Sequence, residues 1–303
     1  MRQFLAITLL LWSAFAQAQP LKVESLGNGI YALVGDLGNR SPENFGNNAT
    51  FGVVVTQAGI VLIDSGGSYR GAEQIAQTLR SISDQPVVRV INSGGQDHRW
   101  FGNGYFRQQG ARIIASEAAV VDHKARFQDQ WRRLKDLVGA EGVAATEPVY
   151  ADETFTHENR FELGGVKFEL YHKGAAHTPG DSLVWLPDFG VLFSGDIVYT
   201  ERMLGVGPQS NSRSWVEVLQ QLAAFEPLQL VPGHGSATTL ERAMRESYDY
   251  LTLLRRGVAQ LLEAGGDIGE ITTIDQSSFR NLRNFDLLSG RNAQQVYIEM
   301  EWE

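Results

Sequence analysis

The chain contains no cysteine in its 303 residues. That excludes disulfides, a Cys-ligated metal and a Cys nucleophile, so any metal must sit on histidine and carboxylate ligands. Positive charge is also in short supply: 26 Lys and Arg stand against 35 Asp and Glu, a formal charge of −9. An acidic protein repels phosphate backbones, which argues against nucleic-acid binding and leaves a small molecule as the expected partner. No Pro/Ser/Gln-rich tract, like-charge block, linker or short-period repeat suggests a disordered tail or a tandem array. Composition sets no oligomeric state.

Long apolar runs are scarce too. The one that stands out is Phe4 to Phe15, preceded by Arg2 and followed by Ala16-Gln17-Ala18. A positive start, a short apolar segment and small residues before a cut site are the pattern of a secretory signal peptide. The run is too short to be a comfortable membrane span. Residues 1–18 are therefore expected to be removed, leaving 19–303 as one domain with no stable membrane anchor. The mature protein is expected to be exported, and periplasmic if the host is Gram-negative.

What is present is a mixture of short strands and helices. Apolar β-type runs at Leu21–Leu26, Ile30–Val34, Phe51–Thr56 and Ile60–Asp64 are separated by Gly- and Asn-rich turns. A helix is predicted over Tyr69–Ser81, where Ala72, Ile75, Ala76 and Leu79 recur at helical spacing. The strand Val87–Ile91 runs into the loop Asn92–Asn103, and a long charged helix is expected at Glu117–Leu137 with His123 facing solvent. Strands follow at Phe161–Leu163, Val166–His172, Ser182–Leu186 and Val191–Phe193, then a helix at Trp215–Phe225. From about residue 239 the chain reads as helical, at Thr239–Ala264 and Ala293–Trp302. That order suits two stacked sheets with helices outside, an α+β architecture.

Five polar clusters sit where apolar strands give way to loops, the place where rigid scaffolds present reactive groups. They are Asp64-Ser65-Gly66; Asn92 through His98; His177-Thr178-Pro179-Gly180-Asp181; Ser194-Gly195-Asp196; and Pro232-Gly233-His234-Gly235. Each combines Asp or His with small residues that allow a tight turn. Singly, each has an ordinary explanation as a cap or a turn. Jointly, converging His and Asp side chains with an open position for water would make a hydrolytic metal site.

In this order the clusters resemble the metallo-β-lactamase superfamily, over nearly the whole of 19–303. The tail Arg291-Asn292-Ala293-Gln294-Gln295-Val296-Tyr297 is similar to that of periplasmic glyoxalase-II-like and quinoprotein-relay-type members. The resemblance implies a four-layer αββα sandwich with the metal site at one edge. It further implies His177 as a ligand of a first metal, Asp196 as a bridging ligand, His234 as a ligand of a second metal, and Asp64 as a residue orienting the motif loop.

The loop departs from the family's His-x-His-x-Asp-His. If Asp97-His98 is the Asp-His pair, Ser93 and Gly95 replace the first two histidines, and Asp97, His98, Asp196 and His234 remain for one metal. If instead Asn92 and Gly102-Asn103 set an ungapped register, the four motif positions become Gly94, Gln96, His98 and Arg99. His98, Asp196 and His234 then remain, with Arg99 where a ligand would stand. The first register is favoured because it gives the four-ligand His/carboxylate set that zinc takes.

The expectation is a zinc hydrolase holding one ion, with two ions as the alternative. Its ligands would be His98, His177, Asp196 and His234, and Asp97 would be a ligand or proton acceptor. Gln96 is a candidate weak ligand or water-holding group, and Arg99 either binds an anionic substrate group or forms a surface salt bridge. The bond attacked would be of ester, thioester, lactone or β-lactam type. The rivals are a non-catalytic metal- or ligand-binding protein of the same fold and, behind it, an iron redox protein.

Overall fold

A computed structural model of the chain describes residues 21–303, so the expected signal peptide lies outside the described residues. Among the described residues, twelve strands form two sheets. The first contains β1 (Lys22–Gly27), β2 (Ile30–Val34), β3 (Thr50–Thr56), β4 (Gly59–Ile63), β5 (Val87–Asn92), β6 (Arg112–Ser116) and β7 (Glu153–Phe155). They lie in sequence order, antiparallel as far as β4 and parallel from β4 onward. The second has the order β12-β11-β10-β9-β8. Its strands are β8 (Glu158–Leu163), β9 (Val166–Tyr171), β10 (Leu183–Leu186), β11 (Val191–Phe193) and β12 (Gln229–Val231), antiparallel except for the β11–β12 pair.

The period-two alternation of apolar residues decides which layer each strand feeds. On β4, Val61 and Ile63 point into the core between the sheets, where they join Ile91 and Ile114 and meet Phe168, Leu170, Val184 and Phe193 of the second sheet. The intervening Ile60 and Leu62 face outward onto Ala72, Ile75 and Leu79 of helix α1 (Tyr69–Leu79). The other sheet's outer face packs against α5 (Ser212–Gln221), α7 (Asp249–Glu263) and α8 (Phe285–Met300) through Trp215, Leu219, Leu251, Leu254 and Val296. Helix, sheet, sheet and helix thus make the expected four-layer α+β sandwich.

Several boundaries differ from the sequence reading. The predicted loop Asn92–Asn103 contains a helical turn, α2 (Asp97–Trp100), followed by α3 (Asn103–Gln108). Helix α4 runs longer than expected, Glu117–Gly142, with a non-helical Gly139 inside it. The 239–264 segment is α6 (Leu240–Ala243), a π turn at Met244–Tyr248 and α7, rather than one α-helix. The final helix, α8, begins eight residues earlier than predicted.

His123 is the clearest correction to burial. It is fully buried, not solvent-facing, stacked on Trp100 at 4.2 Å, with its Nε2–H donating to the Gly94 carbonyl at 3.0 Å. Burial pushes its pKa down to about 3, so it stays neutral. The charged helix hides this because only one face of α4 is wet, and a single histidine carries no periodic signal. Trp100 and Phe101 pack into this same cluster.

Candidate metal centre

The five clusters meet at one edge of the sandwich, where β4, β5, β11 and β12 end. Asp64, just past β4, adopts a left-handed backbone (φ 68°), uncommon for a residue other than glycine. From there its carboxylate accepts from both the amide and the hydroxyl of Ser93, each at 2.7 Å. The start of the motif loop is thereby fixed, as the orienting role expected for Asp64 would require.

His98, Asp196 and His234 come together. Their ligand atoms all lie within 4.8 Å of one another, and all three side chains are buried. His98 Nε2 is 3.0 Å from Asp196 Oδ2, and His234 Nε2 is 3.2 Å from Asp196 Oδ1. This is the residue set of the ungapped register, with Arg99 beside it. Asp97 does not join the group: its carboxylate pairs with Arg40 and accepts the His98 amide at 2.8 Å. Burial would raise its pKa, but Arg40 outweighs that and holds the carboxyl well below the usual range.

His177 lines the same cavity but lies outside the trio. Its Nδ1–H donates to the Gly205 carbonyl at 2.8 Å, and burial lowers its pKa to about 4. In the ungapped register the first two histidine positions are Gly94 and Gln96, and a Cβ on Gly94 would overlap the Asp181 carboxylate. Gln96 lines the cavity and its amide reaches Asp97 at 3.2 Å.

Arg99 is neither a surface ion pair nor a substrate-facing cation. It is completely buried, and every one of its five N–H donors is used. Nε and Nη2 straddle Asp196 at 3.2 and 2.6 Å, and Nη1 reaches Asp64 at 2.9 Å. The remaining two donors go to the carbonyls of Thr50 (3.0 Å) and Gly233 (2.8 Å). Burial works against the Asp196 charge, yet Arg99, with His98 and His234, holds that carboxylate well below its ordinary pKa. Sequence reasoning missed this role because nothing in a Gln-Asp-His-Arg string distinguishes an inward arginine from an outward one.

The tautomers follow from the fixed donors and acceptors. His234 Nδ1 lies 2.7 Å from the Asn48 carbonyl, so it carries the proton and leaves a lone pair on Nε2. That Nε2 is buried and has no hydrogen-bond partner. His98 is the reverse: Arg40 Nη2, which can only donate, sits 2.8 Å from its Nδ1, so Nε2 carries the proton toward Asp196. Arg40, in the Gly38–Asn48 loop, and Arg202, whose Nη1 is 3.3 Å from His234 Nδ1, are site residues that no motif or spacing singles out.

An αββα sandwich with a His/Asp cluster where the strands of both sheets end defines a metallo-hydrolase type of architecture. The sequence model of the metallo-beta-lactamase superfamily matches residues 45–234, and the chain belongs to that superfamily. It is 24% identical over 235 residues to a metallo-beta-lactamase type 2 of Elizabethkingia meningoseptica, covering 76% of this chain and 85% of that one. Among solved structures it resembles a metallo-beta-lactamase from Pontibacter korlensis, with TM-score 0.61 and 20% identity over 77% of this chain and 99% of the other. A double mutant of the sec-alkyl sulfatase PisA1 superposes with TM-score 0.71 at 15% identity, over 92% of this chain and 50% of its own. At these identities the structural matches speak to fold.

Replacing Arg99 by Met leaves two buried carboxylates, Asp64 and Asp196, without their counter-ion. The Arg99→Met variant is expected to lose roughly 3–5 kcal/mol of stability in denaturant unfolding, the usual cost of breaking a buried pair. A loss under about 1 kcal/mol, the range of a surface pair, would show that the guanidinium does not hold the site together.

Proposed function

We propose that the chain is an exported metal-dependent hydrolase that holds one zinc ion on His98, Asp196 and His234. The observation that carries this reading is the buried, unpartnered Nε2 of His234 facing Asp196 and His98. Two imidazoles and a carboxylate fit zinc in donor type, and three protein ligands leave a position for water. Zinc bound there would lower the pKa of a coordinated water toward neutrality and polarise a substrate carbonyl.

The chain's own residues then have separable tasks. His234 is already in the ligating tautomer. His98 must move its proton from Nε2 to Nδ1, where Asp97 Oδ1, 3.4 Å away, can accept it in place of the Arg40 contact. Asp97 is thus assigned to orienting a ligand rather than to binding metal. Arg99 keeps Asp196 ionised and aimed between the two histidines. His177, neutral and lining the same cavity, is assigned to accept a proton or to hold a substrate oxygen.

A second reading is favoured by one observation: Asp196 is already engaged bidentately by Arg99, which weakens it as a ligand. In that reading the fold binds a ligand without hydrolysing it. Elemental analysis of the purified mature chain separates the two, with about one tightly held zinc per chain expected, together with hydrolysis of at least one member of an ester, thioester, lactone and β-lactam panel. No retained metal, and no hydrolysis with zinc added, would leave only the binding reading.

Export rests on the residues before position 21, and among the described residues no helix is long and apolar enough to cross a membrane. N-terminal sequencing of the chain recovered from its native host should begin at Gln19. A mature protein beginning at Met1 contradicts export.

A further inference from the structure

The cavity beside the trio has a charge opposite to that of the protein around it. It measures about 450 Å³, and five arginines line it against a single carboxylate, Asp97. The chain as a whole carries −9. Two of these arginines are already matched, Arg40 by Asp97 and Arg126 by Asp122. Arg133, Arg202 and Arg291 have no carboxylate within ion-pair distance among the described residues.

Arg202 is the informative one. It is buried, at 8% exposure, and its Nη1 is spent on the Gly38 carbonyl at 3.2 Å. Its Nε has no partner, and neither does the Nε of Arg40 across the trio. A buried guanidinium that lacks a carboxylate is costly unless something supplies negative charge and acceptor atoms. Arg133 and Arg291 stand exposed at the mouth, where Leu137, Leu288 and Ile298 share the rim. A concave, low-dielectric site lined by one sign of charge focuses its field and concentrates ligands of the other sign.

We infer that this cavity binds the substrate through an anionic oxygen group, a carboxylate, sulfate or phosphate, taken by Arg202 with Arg40, while an apolar portion lies against the rim. Arg291 and Arg133 draw the anion in. The inference deepens the hydrolase reading by naming a substrate class, and it rests on that reading only for what happens after binding. The anion-binding cation is thus Arg202, whereas Arg99, the arginine singled out by the motif, has no donor left to offer.

Binding is measured by calorimetry on the full mature chain, stripped of metal and dialysed free of chelator. The probes are 4-nitrobenzoate and its uncharged isostere 4-nitrobenzamide. The benzoate should bind about tenfold or more tightly, as expected for charge-assisted bonds to guanidinium, and lose affinity as salt rises. Arg202→Gln should remove most of that preference. Should it fail to fold, the surface double variant Arg133→Gln/Arg291→Gln decides, with a loss of about threefold expected from weakened steering. Equal affinities for the two probes, no binding of either, or a preference untouched in every folded variant would overturn the proposal. Anion binding without hydrolysis by the zinc-supplied protein would sink the hydrolase reading alone. Hydrolysis of neutral esters without anion preference would sink this one alone.

Discussion

One buried guanidinium fixes the geometry on which the centre depends. Arg99 joins the start of β3 through Thr50, the end of β4 through Asp64, the β11 exit through Asp196 and the β12 exit through Gly233. Those four points belong to both sheets, so the side chain ties the two halves of the sandwich together at the edge where the site forms. Burying a cation is unfavourable unless each donor finds an acceptor, and here each of them does. Asp64 then sets the loop through Ser93, and Asp196 is presented to His98 and His234. The two histidines face the carboxylate that the arginine holds, and are themselves held by Arg40 and the Asn48 carbonyl.

The fold was legible because strand periodicity and the motif order both report on bulk burial, which sequence records well. Val61 and Ile63 against Ile60 and Leu62 is a pattern any two-sided buried strand must write. The site was legible in part. Asp196 and His234 stand next to glycines just past strand ends, His98 lies in the motif loop, and the structure gathers them. The register was harder, because ligand chemistry alone favoured Asp97, whereas an arginine in the preceding loop captures it. That arginine, Arg40, lies 57 residues upstream of its partner, a separation at which sequence carries no pairing signal. Burial of His123 and Arg99 was invisible for a related reason: polar side chains go inside only when distant partners receive them.

Charge organises the rest. The chain is acidic overall, yet the cavity is lined by arginines, and the cationic groups divide into two sets. Arg99 is fully satisfied and structural. Arg40 and Arg202 retain unpartnered Nε atoms beside the trio. A divalent ion placed among them would meet two histidines and one carboxylate whose charge Arg99 already offsets. Such a site would hold its metal more weakly than one with a second carboxylate, and an anionic ligand in the cavity would relieve the excess positive charge. Metal and anion should therefore favour each other's binding.

The position a metal takes is the most direct test of this centre. Crystals of the mature chain grown with zinc, with diffraction recorded on either side of the zinc absorption edge, locate it without reference to activity. A single anomalous peak among His98 Nε2, His234 Nε2 and the Asp196 carboxylate, with Arg99 still on Asp196 and none beside Gly94 and Gln96, is the predicted result. A peak at His177 with the trio empty, or no peak at all, would contradict it.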